Sequence, residues 1–295
     1  MRNFFIAALF LFSGVSLLSQ SRLNMVHVNN NVYMLQGRGG NIGLNVGTDG
    51  ILMVDDQFAD ATPAILEEIR KLSEKPIEFL VNTHHHGDHT GGNENMTKNG
   101  TIIFSHKNVR KRLVDARKNP DSPKISDESF PVVTFNRKIT FHYNGEDIEV
   151  FHVANAHTDG DALVYFKKSN VLHTGDVFFK GRYPYIDTNS GGDLFGYIEA
   201  LEQVLANINE NTLIIPGHGD VATFNDLRAT IAMLSIVMKR VSFHYLNKKT
   251  LEQVLAMPEI TEQYDAKGFG DYYISTEKFI RMVYAEVKEK RGEWR

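Results

Sequence analysis

Directly after an apolar run at residues 77–81 the chain reads Thr83-His84-His85-His86-Gly87-Asp88-His89-Thr90-Gly91-Gly92-Asn93, which places four of its 12 histidines within six positions. No other feature limits the possible folds as much. The apolar run has the length and composition of a buried strand, so the histidines sit where a strand opens into a glycine-rich turn. In extended backbone alternate side chains share a face, which aims His84 and His86 at one point and leaves Asp88 and His89, at the turn, to reach a neighbouring one. Histidine tracts also occur as tags, but this one is internal and framed by glycines. The chain has no cysteine, which removes disulfides, thiolate nucleophiles and Cys-ligated metals; a metal would be held by nitrogen and oxygen alone.

Three further candidates stand at the ends of apolar runs: His157 after Val150-Phe151-His152-Val153, Asp176 after Val171-Leu172-His173-Thr174-Gly175, and His218 after Leu213-Ile214-Ile215-Pro216-Gly217. Each alone reads as an ordinary hydrogen-bonded loop residue. Together with the cluster they give five His and two Asp, enough for two metal sites built on rigid strand ends.

Short apolar runs at 26–28, 32–35, 42–46 and 51–54, separated by Gly, Asn and Asp, predict a meandering sheet. Further strands are expected at 101–104, 139–143, 148–153, 162–166, 171–173 and 212–215. Helical spacing covers 107–117, 194–208, 224–246 and 276–290, and another helix should start at Pro63 with Asp60 or Thr62 as its cap. Residues 119–131, with three prolines, read as a long surface loop. At 42% hydrophobic and 23% charged residues the composition is that of a globular protein with a sizeable core. No linker-like stretch divides it, so one α/β domain with more than one sheet is expected over residues 20–295.

The first residues read differently. Arg2 precedes an apolar run at 4–18 and then polar Ser19-Gln20-Ser21, the pattern of a secretory signal peptide over residues 1–19. The run is shorter than the ~20 apolar residues of a spanning helix, so no stable membrane anchor is expected after cleavage, and the location implied is periplasmic or secreted. With 32 Lys+Arg against 36 Asp+Glu the chain lacks the basic excess that nucleic acid requires, which leaves a small molecule as the expected substrate.

The motifs, taken in order, closely resemble those of the metallo-β-lactamase superfamily. Its H-x-H-x-D-H pattern is met by His84, His86, Asp88 and His89. The later histidine is met by His157, the bridging acid by Asp176 and the final histidine by His218, while Asp55 after Ile51-Leu52-Met53-Val54 matches the early structural Asp. The resemblance implies a four-layer αβ/βα sandwich, two mixed β-sheets flanked by helices, with the metals in the cleft at one edge. It implies a first zinc on His84, His86 and His157, a second on Asp88, His89 and His218, and Asp176 bridging them. Mn²⁺ or Fe would tolerate the same donors. His85 should point away, His152 and His173 should be core or supporting residues, and Asp55 should orient a ligand histidine.

Such a site activates water: a hydroxide held between two metals ~3.5–4 Å apart attacks a carbonyl, with Asp88 orienting it and moving its proton. The implied activity is hydrolysis of an amide, lactam, lactone or ester. Many β-lactamases of the superfamily carry Cys where this chain has Asp176, and the acid is more similar to the glyoxalase-II and lactonase branches. A glyoxalase-II-like thioester hydrolase and a persulfide-dioxygenase-like iron oxidoreductase are therefore the alternatives, with a non-catalytic metal-binding module behind them. Lys180 and Arg182, just beyond Asp176, are expected to bind a substrate carboxylate; pairing with Asp187 is the competing role for both.

Overall fold

Alternation along the strands decides the layering. In Ile51–Val54, Leu52 and Val54 enter one apolar cluster while Ile51 and Met53 enter another on the opposite face. All four residues are buried, so this strand is covered on both sides. Val81 and Leu80 in the next strand divide the same way.

The computed structural model describes residues 23–120 and 124–292 and contains two sheets; the expected signal peptide lies outside the described residues. The first sheet runs in sequence order through β1 (Asn24–Asn29), β2 (Val32–Gln36), β3 (Ile42–Val46), β4 (Ile51–Val54), β5 (Ile77–Asn82), β6 (Ile102–His106) and β7 (Val133–Phe135). Its first four strands form an antiparallel meander, and β4 to β7 are parallel. The second sheet holds β8 (Lys138–Tyr143), β9 (Glu146–His152), β10 (Ala162–Phe166), β11 (Val171–His173), β12 (Leu213–Ile215) and β13 (Ala222–Thr223), with β11 and β12 its parallel pair.

Helices cover the outer faces. They are α1 (Thr62–Arg70), α2 (Gly87–Thr90), α3 (Asn93–Lys98), α4 (Lys107–Lys118), α5 (Leu194–Asn207), α6 (Phe224–Leu246), α7 (Leu251–Leu255), α8 (Glu262–Asp265) and α9 (Thr276–Gly292). One apolar layer joins the inner faces through residues such as Met34, Val54, Val81, Val150, Val164 and Ile215. A second packs α5, α6 and α9 on the outer face of the second sheet, and a third packs α1 and α3 on the first. This is the αβ/βα sandwich that the resemblance implied.

The start of α1 differs from expectation. A 3-10 turn at Ala59–Ala61 runs straight into the helix, whose N-cap is Ala61 with no side-chain cap. Asp60 instead pairs with Arg38, and Thr62 accepts a hydrogen bond from Asn95. No helix among the described residues is long and apolar enough to cross a membrane.

Candidate metal centre

The carboxyl ends of β5, β9, β11 and β12 meet at one edge of the sandwich, and the loops leaving them carry the expected ligands. The supporting frame begins at Asp55, fully buried and in the left-handed region at φ 60 just past β4. Its carboxylate accepts from the Thr83 amide and hydroxyl, both at 2.7 Å, and from His89 Nδ1 at 2.7 Å. The Thr83 hydroxyl is spent as a donor on Asp55, so toward His84 Nδ1, 3.0 Å away, its oxygen can only accept. His157 Nδ1 donates to the Tyr185 carbonyl at 2.8 Å, and His86 Nε2 donates to Asp187 at 3.0 Å. Each of these four rings thus has a proton held on the outer nitrogen and turns its inner nitrogen toward the centre, and in His84, His86 and His157 that nitrogen presents a lone pair.

Those lone pairs converge. His86 Nδ1 lies 3.1 Å from His84 Nε2 and 3.0 Å from His157 Nε2, with Asp176 Oδ2 at 3.8 Å from His84 Nε2 and 3.6 Å from His157 Nε2. With the outer nitrogens protonated, nitrogens this close cannot hydrogen-bond to one another; a cation between them resolves the repulsion. On the other side of Asp176, Oδ1 lies 3.1 Å from His89 Nε2 and 3.5 Å from His218 Nε2. Asp88 Oδ2 completes that group at 3.6 Å from His89 Nε2 and 3.3 Å from His218 Nε2. His89 Nε2 and Asp176 Oδ1 are buried without a hydrogen-bond partner despite their short separation, because the pair lacks hydrogen-bond alignment. The donor set fits two ions sharing one carboxylate.

Close backbone approach makes this arrangement possible. A Cβ on Gly40 would lie 2.1 Å from His89 Cε1, and one on Gly217 would lie 2.0 Å from Asp176 Oδ1. Either side chain would displace a ligand.

The electrostatics follow from burial and from Asp176. Burial lowers His84 well below the ordinary histidine range, and brings His157 down to about 4. For His89 burial acts in the same direction, but Asp176 and Asp55 outweigh it and raise the ring well above that range. His218 rises to about 9 for the same balance, burial being outweighed by Asp176 and Asp88. Burial would raise Asp176, but His89 and His218 hold it well below the usual carboxylate value. The second group therefore attracts positive charge to an ionised carboxylate, the condition a divalent ion also meets.

All seven expected ligands, His84, His86, Asp88, His89, His157, Asp176 and His218, come together. His85 turns aside, with Nε2 3.4 Å from Ser190 Oγ; it groups with His86 and Asp187, whose facing atoms are already hydrogen-bonded to each other. His173 is buried between the Asn41 carbonyl and the Gly175 amide, and His152 stacks on His106 at 3.8 Å. Of the two expected substrate cations, Arg182 lines the cleft. Lys180 does not: its ammonium donates to the Val221 carbonyl at 2.7 Å and pairs with Asp226 at 3.5 Å. Neither cation pairs with Asp187, whose carboxylate His86 occupies.

The cleft has a volume of about 490 Å³, and Phe58, Phe179, Tyr185, Tyr272 and Tyr273 share its wall with the ligands. A larger groove of about 600 Å³ between α5, α6 and α9 has none of the ligating residue types, so size does not mark the site. Asp187, Tyr185 and the two C-terminal tyrosines were not expected at the site. Nothing in their local sequence signals the role.

The model of the metallo-beta-lactamase superfamily matches residues 28–218, close to two thirds of the chain. The chain belongs to the metallo-beta-lactamase superfamily. Among relatives in this superfamily, a metallo-beta-lactamase type 2 of Bacillus cereus is 22% identical over 65% of this chain and 72% of its own length. A probable hydroxyacylglutathione hydrolase of Schizosaccharomyces pombe is 27% identical over 56% of this chain and 57% of its own, so this chain spans little more than half of that relative. The crystal structure of the DIM-1 metallo-beta-lactamase superposes with a TM-score of 0.62 at 19% identity, over 73% of this chain and 98% of that one. Superfamily membership makes the protein a metallo-hydrolase type of enzyme with a candidate metal site of histidine and aspartate.

Proposed function

We propose that the protein is an exported dinuclear zinc hydrolase that opens an amide, lactam, lactone or ester. The observation that carries this reading is Asp176, whose two oxygens each face a separate group of ligating atoms. When bound, the ions supply Lewis acidity and make water nucleophilic near neutral pH. The chain's own residues do the rest. Asp88 lines the cleft, and although burial opposes its charge, His218 and His89 lower its pKa and keep its carboxylate ionised, an acceptor that can hold and orient a water beside the substrate. The Gly40 amide donates to the Asp88 carbonyl at 3.1 Å and fixes that residue's backbone. Arg182, on the loop beyond Asp176, offers a guanidinium to an anionic group of the substrate. Export is supported by the apolar run at 4–18.

A second reading, thioester hydrolysis, is favoured by one observation: the fission-yeast relative named as a hydroxyacylglutathione hydrolase, in a chain whose bridging position carries Asp rather than Cys. One experiment separates the two. Elemental analysis of protein purified without chelator should find about two zinc ions per chain, and turnover should be measured on a chromogenic cephalosporin, a lactone and a thioester. Preference for the thioester would select the second reading; one metal or fewer after zinc supplementation would exclude the shared centre. Intact mass of the exported species should lack about the first 19 residues.

A further inference from the structure

The superfamily match ends at residue 218, yet the chain continues through α6 to α9, and the loop between α8 and α9 returns to the cleft. That loop is firmly seated. The Tyr183 amide donates to the Phe269 carbonyl at 3.3 Å, and the Tyr183 hydroxyl donates to Asp265 at 2.8 Å. Thr276 also donates to Asp265, at 2.5 Å, tying the loop's two ends together. From this base Tyr272 and Tyr273 project into the cleft, 50% and 75% exposed, although large aromatic side chains are ordinarily covered.

Each ring has a defined neighbour. Tyr273 meets Tyr185 edge-on at 5.7 Å, and Tyr185 in turn stacks on the ligand His86 at 5.8 Å. The Arg182 guanidinium carbon lies over the Tyr272 ring, 4.0 Å from its centre. The ring thus holds the guanidinium in place without using a hydrogen-bond donor, and Arg182 Nε is buried with no hydrogen-bond partner. A buried cationic donor without a partner is costly, and a guanidinium that lines the cleft offers a planar fork shaped for a carboxylate-like group. Phe58 and Phe179 form the rest of the apolar wall.

We propose that Tyr272 and Tyr273 build a substrate subsite with Arg182, selecting substrates that carry an anionic group beside a planar aromatic body. This deepens the hydrolase reading and rests on it for the bond cleaved. The anion lies against Arg182, and the aromatic body lies between Tyr273 and the phenylalanine wall. Because the tyrosines lie outside the superfamily-matched region, the aromatic part of the selection belongs to the loop between α8 and α9.

The test is binding of phenylacetate, acetate and benzyl alcohol to the metal-loaded protein by calorimetry, which needs no turnover. Phenylacetate should bind about tenfold or more tighter than either other probe. Tyr273→Ala should weaken phenylacetate about fivefold to tenfold and leave acetate unchanged, while Tyr273→Phe should keep most of the binding. Arg182→Ala should weaken both carboxylates and leave benzyl alcohol unchanged. Tyr273 is largely exposed, so its variants should melt as the parent does. Equal affinity for phenylacetate and acetate in the parent, or undiminished phenylacetate binding in Tyr273→Ala or Arg182→Ala, would overturn the subsite. The expected binding pattern in a protein that turns over no amide, lactone or ester would uphold the subsite and reject the hydrolase reading instead.

Discussion

Asp187 shows how much of a metal site lies one residue behind the ligands. Its carboxylate holds His86 Nε2 and so sends the Nδ1 lone pair inward. Hydrogen bonds from His86 and Ser190 hold Asp187 ionised although burial opposes its charge. Replacing Asp187 with Ala should lower affinity at the first metal position about 10-fold to 100-fold, whereas Asn, which can still accept from His86, should restore most of it. Titration against a competing chelator measures both, and equal affinity in the parent and the Ala variant would show that His86 is oriented by packing alone. The seven candidate ligands could be picked out because they fall in fixed short motifs at strand ends. Asp187 was not, since its partner is 101 positions away and the intervening chain gives no local sign of the contact. The same holds for Lys180: sequence places it beside the bridging acid, but the direction of its side chain depends on Val221 and Asp226, supplied by the turn before α6 and its first turn.

At the scale of elements, the parts that could be read were long enough for a period to show or, like the three-residue β11 and β12, were apolar and mostly buried. The missed ones are short and also largely exposed: β7 has three residues and buries one, β13 has two and buries one, while α3 reads Asn-Glu-Asn-Met-Thr-Lys and buries only Asn93 and Met96. Helix α6 shows the opposite case. Its 23 residues begin at a complete capping box, in which Thr223 accepts from the Asp226 amide and Asp226 accepts from the Thr223 amide. Leu227, Leu234 and Val241, at successive heptad positions, carry its packing onto the second sheet. Thr223→Ala should therefore cost about 1 kcal/mol, a fall of roughly 2–4 °C in melting temperature, without changing metal content. Thermal denaturation with parallel metal analysis tests this; loss of metal as well would mean that α6 also positions the His218 loop.

Across the whole molecule the candidate ligands divide between the two halves of the sandwich. His84, His86, Asp88 and His89 follow β5 of the first sheet, while His157, Asp176 and His218 follow β9, β11 and β12 of the second. Removing metal should consequently destabilise the entire fold rather than one loop. Stabilisation by a ligand present at a hundredfold excess over its dissociation constant is about 2.7 kcal/mol. A chelator should thus lower the melting temperature by several degrees in one cooperative transition, and added Zn²⁺ should reverse the change; an unchanged transition would mean that the two halves hold together without it. The interface between the sheets is made largely of Val, Ile, Leu, Met and Phe contacts, and hydrogen bonds such as Asn41 to Gly217 and Ala162 to Thr83 also cross it. Seven polar side chains crossing that seam act as a dowel through two greased plates. Volume-conserving swaps among the apolar residues of the seam should accordingly leave the plates aligned, because part of that alignment is written in the dowel and not in the grease.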